Sequence, residues 1–116
     1  MSDEQQSNVV STAARRIASL EDIHEVIGAA FDSTSLLLTE ANLAPEFFDL
    51  HSGLAGELFQ KATNYQLSLA LVVADPSRYG ERFAELVFEH RGHPLIRFFD
   101  TRAAAEAWLI GSERGG

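Results

Sequence analysis

Leu67-Ser68-Leu69-Ala70-Leu71-Val72-Val73-Ala74-Asp75-Pro76 decides the fold of this chain. From Leu67 to Val73 every position but Ser68 is apolar, and the run stops at Asp75-Pro76. It is too short for a helix and does not alternate, which is how a strand buried on both faces reads. Working outward, Ser35-Leu36-Leu37-Leu38-Thr39 carries the same signature between Asp32-Ser33-Thr34 and Glu40. Leu95-Ile96-Arg97-Phe98-Phe99 supplies a further strand.

Between these runs the apolar period changes to that of a helix. Ser19 and Asp22 resemble a capping box, with Asp in place of the usual Glu or Gln, and Leu20, Ile23, Val26, Ile27 and Ala30 follow at helical spacing. A helix over Leu20 to Phe31 is expected. Phe83, Leu86, Val87 and His90 mark a second helical face that closes at Gly92, with Pro94 beyond. Asp100-Thr101 can cap a last helix carrying Ala104, Ala105, Trp108 and Leu109 inward. Before all of these, Val9, Val10 and Ile17 suggest a short edge strand or a hairpin around Thr12-Ala13-Ala14.

Fully apolar strands alternating with amphipathic helices imply a single α/β domain, with a mostly parallel or mixed sheet of four or five strands linked by right-handed crossovers. Residues 1–7 and 111–116 are polar or Gly-rich and read as flexible tails, which leaves 8–110 as the domain. A length of 116 residues with 46% hydrophobic content supports one core and not two. The net charge of −8 opposes a phosphate backbone, so nucleic acid is disfavoured and a basic protein surface fits the field better. Cysteine is absent, which excludes disulfides and thiolate chemistry. No apolar run is long enough to cross a bilayer and the start is acidic, so no membrane is expected and the cytoplasm is the expected location.

In open parallel sheets, sites gather at the carboxyl ends of the strands. Phe47-Phe48-Asp49-Leu50-His51-Ser52-Gly53-Leu54-Ala55-Gly56 reads as a strand end turning into a helix, and Ala74 to Arg78 falls at another such end. Small residues at Ser52, Gly53, Ala55 and Gly56 allow close approach of a backbone or ligand, and the first amides of a helix are free to bind there.

The blocks Leu38-Thr39-Glu40, Asn42-Leu43, Pro45 to Leu50, Ser52 to Glu57, Gln60-Lys61, Asn64-Tyr65 and Leu69-Ala70 resemble the signature of a small bacterial family, domain of unknown function 4180. That resemblance implies no activity. More remotely, the order of elements is similar to that of STAS domains, the fold of anti-sigma-factor antagonists. In those domains a strand leads to an Asp-Ser-Ser-Gly-Leu turn and a helix follows. Asp49-Leu50-His51-Ser52-Gly53-Leu54 sits at that place, with one more residue between Asp and Ser. The likeness implies a STAS-like fold, a regulatory role and phosphorylation at Ser52, directly before Gly53.

From the residues themselves, Ser52 is first a helix N-cap and second a phosphate acceptor. Asp49, His51 and Ser52 are the residue types of a hydrolytic triad, but neighbours this close in sequence do not reach relay geometry, and no catalytic residue is assigned. The surface from Asp49 to Glu57 with the loop Asp75 to Tyr79 is the expected binding face of a non-enzymatic interaction module. Its candidate residues are Asp49, His51, Ser52, Gly53, Glu57, Asp75, Ser77 and Arg78. The alternative is a small ligand-binding protein or enzyme with an anion pocket lined by Ser52, Gly53, Asp75 and Arg78, for which Arg78 and Lys61 are the nearest counter-charges. Lys61 follows Glu57 by four residues and equally suits a helical ion pair. His24, His51, His90 and His93 lack zinc-site spacing, so no metal and no cofactor is expected. A homodimer remains an open third arrangement.

Overall fold

The computed structural model describes residues 9–11, 16–30 and 35–115. Its elements are β1 (Val9–Ser11), α1 (Leu20–Ala29), β2 (Ser35–Thr39), α2 (Pro45–Phe48), α3 (Leu54–Asn64), β3 (Ser68–Val72), α4 (Glu81–Glu89), β4 (Ile96–Phe99) and α5 (Arg102–Gly115). β2, β3 and β4 form the body of a parallel sheet, and β1 pairs parallel with the free edge of β2. Ile17 also pairs parallel with Leu43, at the offset that sets Val9 opposite Ser35. The hairpin expected at Thr12-Ala13-Ala14 lies outside the described residues.

The strands stand side by side in chain order. Right-handed crossovers between successive neighbours all return on the same side, so they place their helices on one face of the sheet. On that face Ile23 and Val26 of α1, Leu58 and Ala62 of α3 and Phe83 of α4 meet Leu36, Leu38, Leu69, Leu71 and Ile96. The alternate strand residues Leu37 and Ala70 point the other way, where α5 brings Ala105 and Leu109 against them. Leu36, Leu37, Leu38, Leu69, Ala70 and Leu71 are consequently all buried, as their unbroken apolar runs require. Burying one Leu side chain contributes roughly 1.5–3 kcal/mol, so these two short strands hold much of the core's stability.

Local chemistry sets the helix ends. Ser19 Oγ accepts from the Asp22 amide at 3.3 Å, while Asp22 Oδ2 reaches back to the Ala18 amide at 2.9 Å, one residue earlier than a capping box with Glu would reach. α3 ends in a Schellman turn: the Leu67 amide donates to Ala62 and the Gln66 amide to Thr63, with Gln66 in the left-handed region at φ 56°. Thr101 Oγ1 accepts from the Ala104 amide and opens α5, whose helical backbone continues to Gly115 through residues that carry no apolar periodicity.

One expectation is corrected. Phe47-Phe48 is not a strand end but part of α2, a single helical turn. β2 stops at Thr39 because the Asn42 side-chain oxygen accepts from the Thr39 amide at 2.9 Å and bends the chain into the tight turn Glu40–Asn42. Pro45 then pre-sets the backbone for a helix at its first position. Phe47 is fully buried against the core and Phe48 half-buried above it.

Candidate functional site

The turn from Asp49 to Gly53 is held by its own polar groups. Asp49 Oδ1 accepts from the His51 amide at 3.0 Å. Ser52 Oγ donates to the Glu46 carbonyl at 2.7 Å and accepts from the Leu54 amide at 3.2 Å. Gly53 takes φ 80°, a left-handed conformation that a Cβ disfavours, and so lets residues 50–52 pass directly into α3. The N-cap of α3 is Gly53 and not, as expected from sequence, Ser52; the serine stands one residue earlier and bonds the first amide of the helix. Its hydroxyl is engaged with Glu46 and Leu54 and makes no bond to His51, whose Nδ1 stands 3.5 Å from Asp49 Oδ1. Asp49 and His51 project outward with side chains 62% and 86% exposed.

A second loop closes against this turn. After β3, Asp75 Oδ1 accepts from the Ser77 amide at 3.2 Å and from Ser77 Oγ at 2.6 Å, which forms the tight helical turn Pro76–Tyr79. Gly80 at φ 106° then permits the sharp entry into α4. Tyr79 carries the contact between the loops. Its ring stacks on Phe48 with centroids 3.7 Å apart and planes 6° apart, and its hydroxyl donates to Glu40 Oε2 at 3.2 Å. Burial raises the phenol above its ordinary pKa; the hydrogen bond to Glu40 and that carboxylate's charge add to the effect, and Arg78 opposes it. The phenol accordingly stays protonated as a donor, bridging the segments that follow β2 and β3.

Two open hollows flank this bridge and share Phe48, Asp49 and Tyr79. One, of about 500 Å³, is lined also by Arg16, Glu40, Leu43 and Pro45. The other, of about 310 Å³, sets Leu50 and His51 opposite Gly80, Glu81 and Arg82. Of the residues expected from sequence, Asp49 and His51 are thus brought to the Tyr79 loop. Ser52, Gly53, Asp75, Ser77 and Arg78 line neither hollow, although Arg78 lies 5.9 Å from the Tyr79 ring centroid. Glu57 is one turn further along α3, 3.6 Å from Lys61. Lys61 belongs to the other end of the sheet, where it joins His24, Ile27, Tyr65 and Leu67 around a cavity of about 290 Å³ between α1 and α3. Residues absent from the expected set are Glu40, Phe48, Arg16 and Arg82. Glu40 carried a signal, as the first acid after an apolar strand; Phe48 read as core.

Among the described residues no group of three or more acids and histidines gathers as a metal site, and no helix is long and apolar enough to cross a membrane. Among the described residues the strand order carries no reversal, the point at which open α/β sheets form their crevice. Fold and site define a parallel α/β domain that presents a bonded, exposed turn at the carboxyl edge of its sheet. The chain belongs to the family described as domain of unknown function (DUF4180), whose model matches residues 2–109. No curated protein and no solved structure matches it.

Proposed function

We propose that this protein is a non-enzymatic regulatory module that docks a protein partner on the surface formed by the Asp49–Gly53 turn and the loop from Asp75 to Arg82. One observation carries the reading: the turn's backbone is fixed by internal hydrogen bonds while Asp49 and His51 stand exposed on it. A surface already ordered loses little entropy on binding. The open hollows, the absence of a bond between Ser52 and His51, and the acidic net charge favour docking of a basic protein surface over catalysis.

The resemblance to STAS domains supports the regulatory part of the proposal. Ser52 stands directly before Gly53, the N-cap of α3, as the modified serine of those domains stands before its glycine, although here a helical turn and not a strand leads into the turn. A phosphate on Ser52 Oγ would remove the proton donated to Glu46 and set about two negative charges at the start of α3, where the helix dipole favours them. Asp49 and His51 would then present a changed charge pattern to the partner.

Two measurements test the proposal. Partners retained by the immobilised protein should be lost with Asp49→Lys combined with His51→Glu, and kept with Glu25→Lys on α1. If the double variant keeps every partner, the surface assignment fails. A thermal-shift panel of phosphorylated metabolites at millimolar concentration should leave the midpoint unchanged; a rise would favour the anion-pocket alternative, because a ligand bound only by the folded state stabilises it by mass action.

A further inference from the structure

We propose that His93 is a pH-sensitive latch on the edge strand β4, at the end of the sheet opposite the docking surface. His93 lies in the turn between α4 and β4. Its Nδ1 accepts from two backbone amides, those of Leu95 and Ile96, each at 3.0 Å. An imidazole nitrogen accepts only when it carries no proton, so the neutral ring holds its hydrogen on Nε2. The Ile96 amide depends on that acceptor. The carbonyls of Leu95 and Phe99 accept from Leu69 of β3 and from Val73 just after it, and successive residues of a strand point their polar groups to opposite sides. The Ile96 amide therefore faces away from β3, on the side where β4 has no neighbouring strand among the described residues. The ring closes an amide that the sheet leaves open.

Protonating Nδ1 reverses the interaction, turning an acceptor into a donor aimed at two donors. The charges facing the ring all oppose that step. His90, at the end of α4, stacks on it with centroids 5.3 Å apart, and Arg97 of β4 donates from Nε to the His93 carbonyl at 2.8 Å. No acidic group counts among the charges acting on it, and burial, His90 and Arg97, in that order, lower its pKa below the ordinary histidine value. His90 cannot exchange roles with it: its Nδ1 is 2.8 Å from the Leu86 carbonyl, an acceptor, and so must donate. A folded-state pKa depressed for histidine means the stabilisation is complete above about pH 6.5 and is lost as the pH falls through the lower folded value.

Asparagine provides the discriminating variant. An Asn oxygen accepts from amides two and three residues on, which is the pattern His93 makes, and it does not titrate. Amide exchange, expressed as protection against the intrinsic rate, is measured at Leu95, Ile96 and a central amide, Leu71. The range runs from about pH 7.5 down to the pH at which the His93 ring resonances show the charged form. In the natural protein, protection at Leu95 and Ile96 is expected to fall about tenfold, with Leu71 unchanged. His93→Asn should hold both amides level across the range, and His93→Ala should leave them weakly protected throughout. The proposal is overturned if the Asn variant shows the same fall, or if the natural protein keeps its protection while its His93 ring becomes charged.

Discussion

Replacing Tyr79 by Phe removes one oxygen and leaves the stacked ring in place, so it isolates the bond that joins the segments following β2 and β3. That bond, from the phenol to Glu40 Oε2, is 3.2 Å long and half-buried. Hydrogen bonds to charged groups contribute about 1.5–3 kcal/mol, and the length and partial solvation here place this one nearer 1 kcal/mol. Tyr79→Phe should thus cost about 1 kcal/mol, or roughly 4 °C in Tm for a domain of this size. Tyr79→Ala should cost about 3 kcal/mol, since it also loses the stack on Phe48 and its buried area. Urea unfolding followed by the fluorescence of Trp108, the only tryptophan, measures both. The decisive quantity is the coupling in a double-mutant cycle with Glu40→Ala, expected at about 1 kcal/mol. A coupling below about 0.3 kcal/mol would refute the claim that this pair ties the two loops together. The alkaline limb gives an independent check. A phenol raised in the folded state stabilises fully below its unfolded pKa near 10 and loses that contribution as the pH rises through the folded value, so Tyr79→Phe should flatten the stability profile there.

Two further variants probe the turns. Gly53→Ala forces a Cβ onto φ 80° with open space around it, so backbone strain alone should destabilise by about 1–2 kcal/mol, and a stability loss below about 0.3 kcal/mol in urea unfolding would contradict the left-handed cap. Gln66→Gly should do the reverse at the end of α3, raising stability by about 0.5–1 kcal/mol because glycine fits the left-handed Schellman position, less whatever the Gln66 side-chain bond to Thr63 contributes; a lower Tm would count against that assignment.

The strands of the sheet body were legible because burial on both faces leaves no polar position to break the pattern. Leu36, Leu37 and Leu38 had to be apolar together, and Leu69, Ala70 and Leu71 likewise. The helices were legible where a cap coincided with a period, as at Ser19–Asp22 and Thr101–Ala104. Phe47-Phe48 was misread because two adjacent aromatics look the same on a strand and on one turn of helix. What decides between them is Pro45 together with a side-chain bond from Asn42 to Thr39, a contact that periodicity does not encode. Asp49 and His51 were legible as an exposed turn because turn residues announce themselves. Glu40 and Tyr79 were not paired in advance because their bond spans 39 residues and follows only from the parallel register of β2 and β3. Of the two readings of Lys61, the helical pair with Glu57 is the one present, at 3.6 Å, and the lysine lies a full turn beyond Glu57, beside His24 of α1.

The sheet's order gives a physical reason for preferring a surface to a pocket. Crevices in open α/β sheets form where successive crossovers depart to opposite faces, and here the connecting helices all lie on one face while α5 covers the other after the last strand. The carboxyl edge is therefore bridged rather than split, by Tyr79 lying across Phe48 and reaching Glu40. The hollows beside it are open, and the bridge holds backbone in place. Ordering one residue costs roughly 1–2 kcal/mol of backbone entropy, and folding has already met that cost at Asp49 through Gly53. Complementary charge on a partner then needs to restrain only the side chains of Asp49 and His51, at about 0.5–1.5 kcal/mol each. On the proposed docking role, this small residual cost matters more than any single contact.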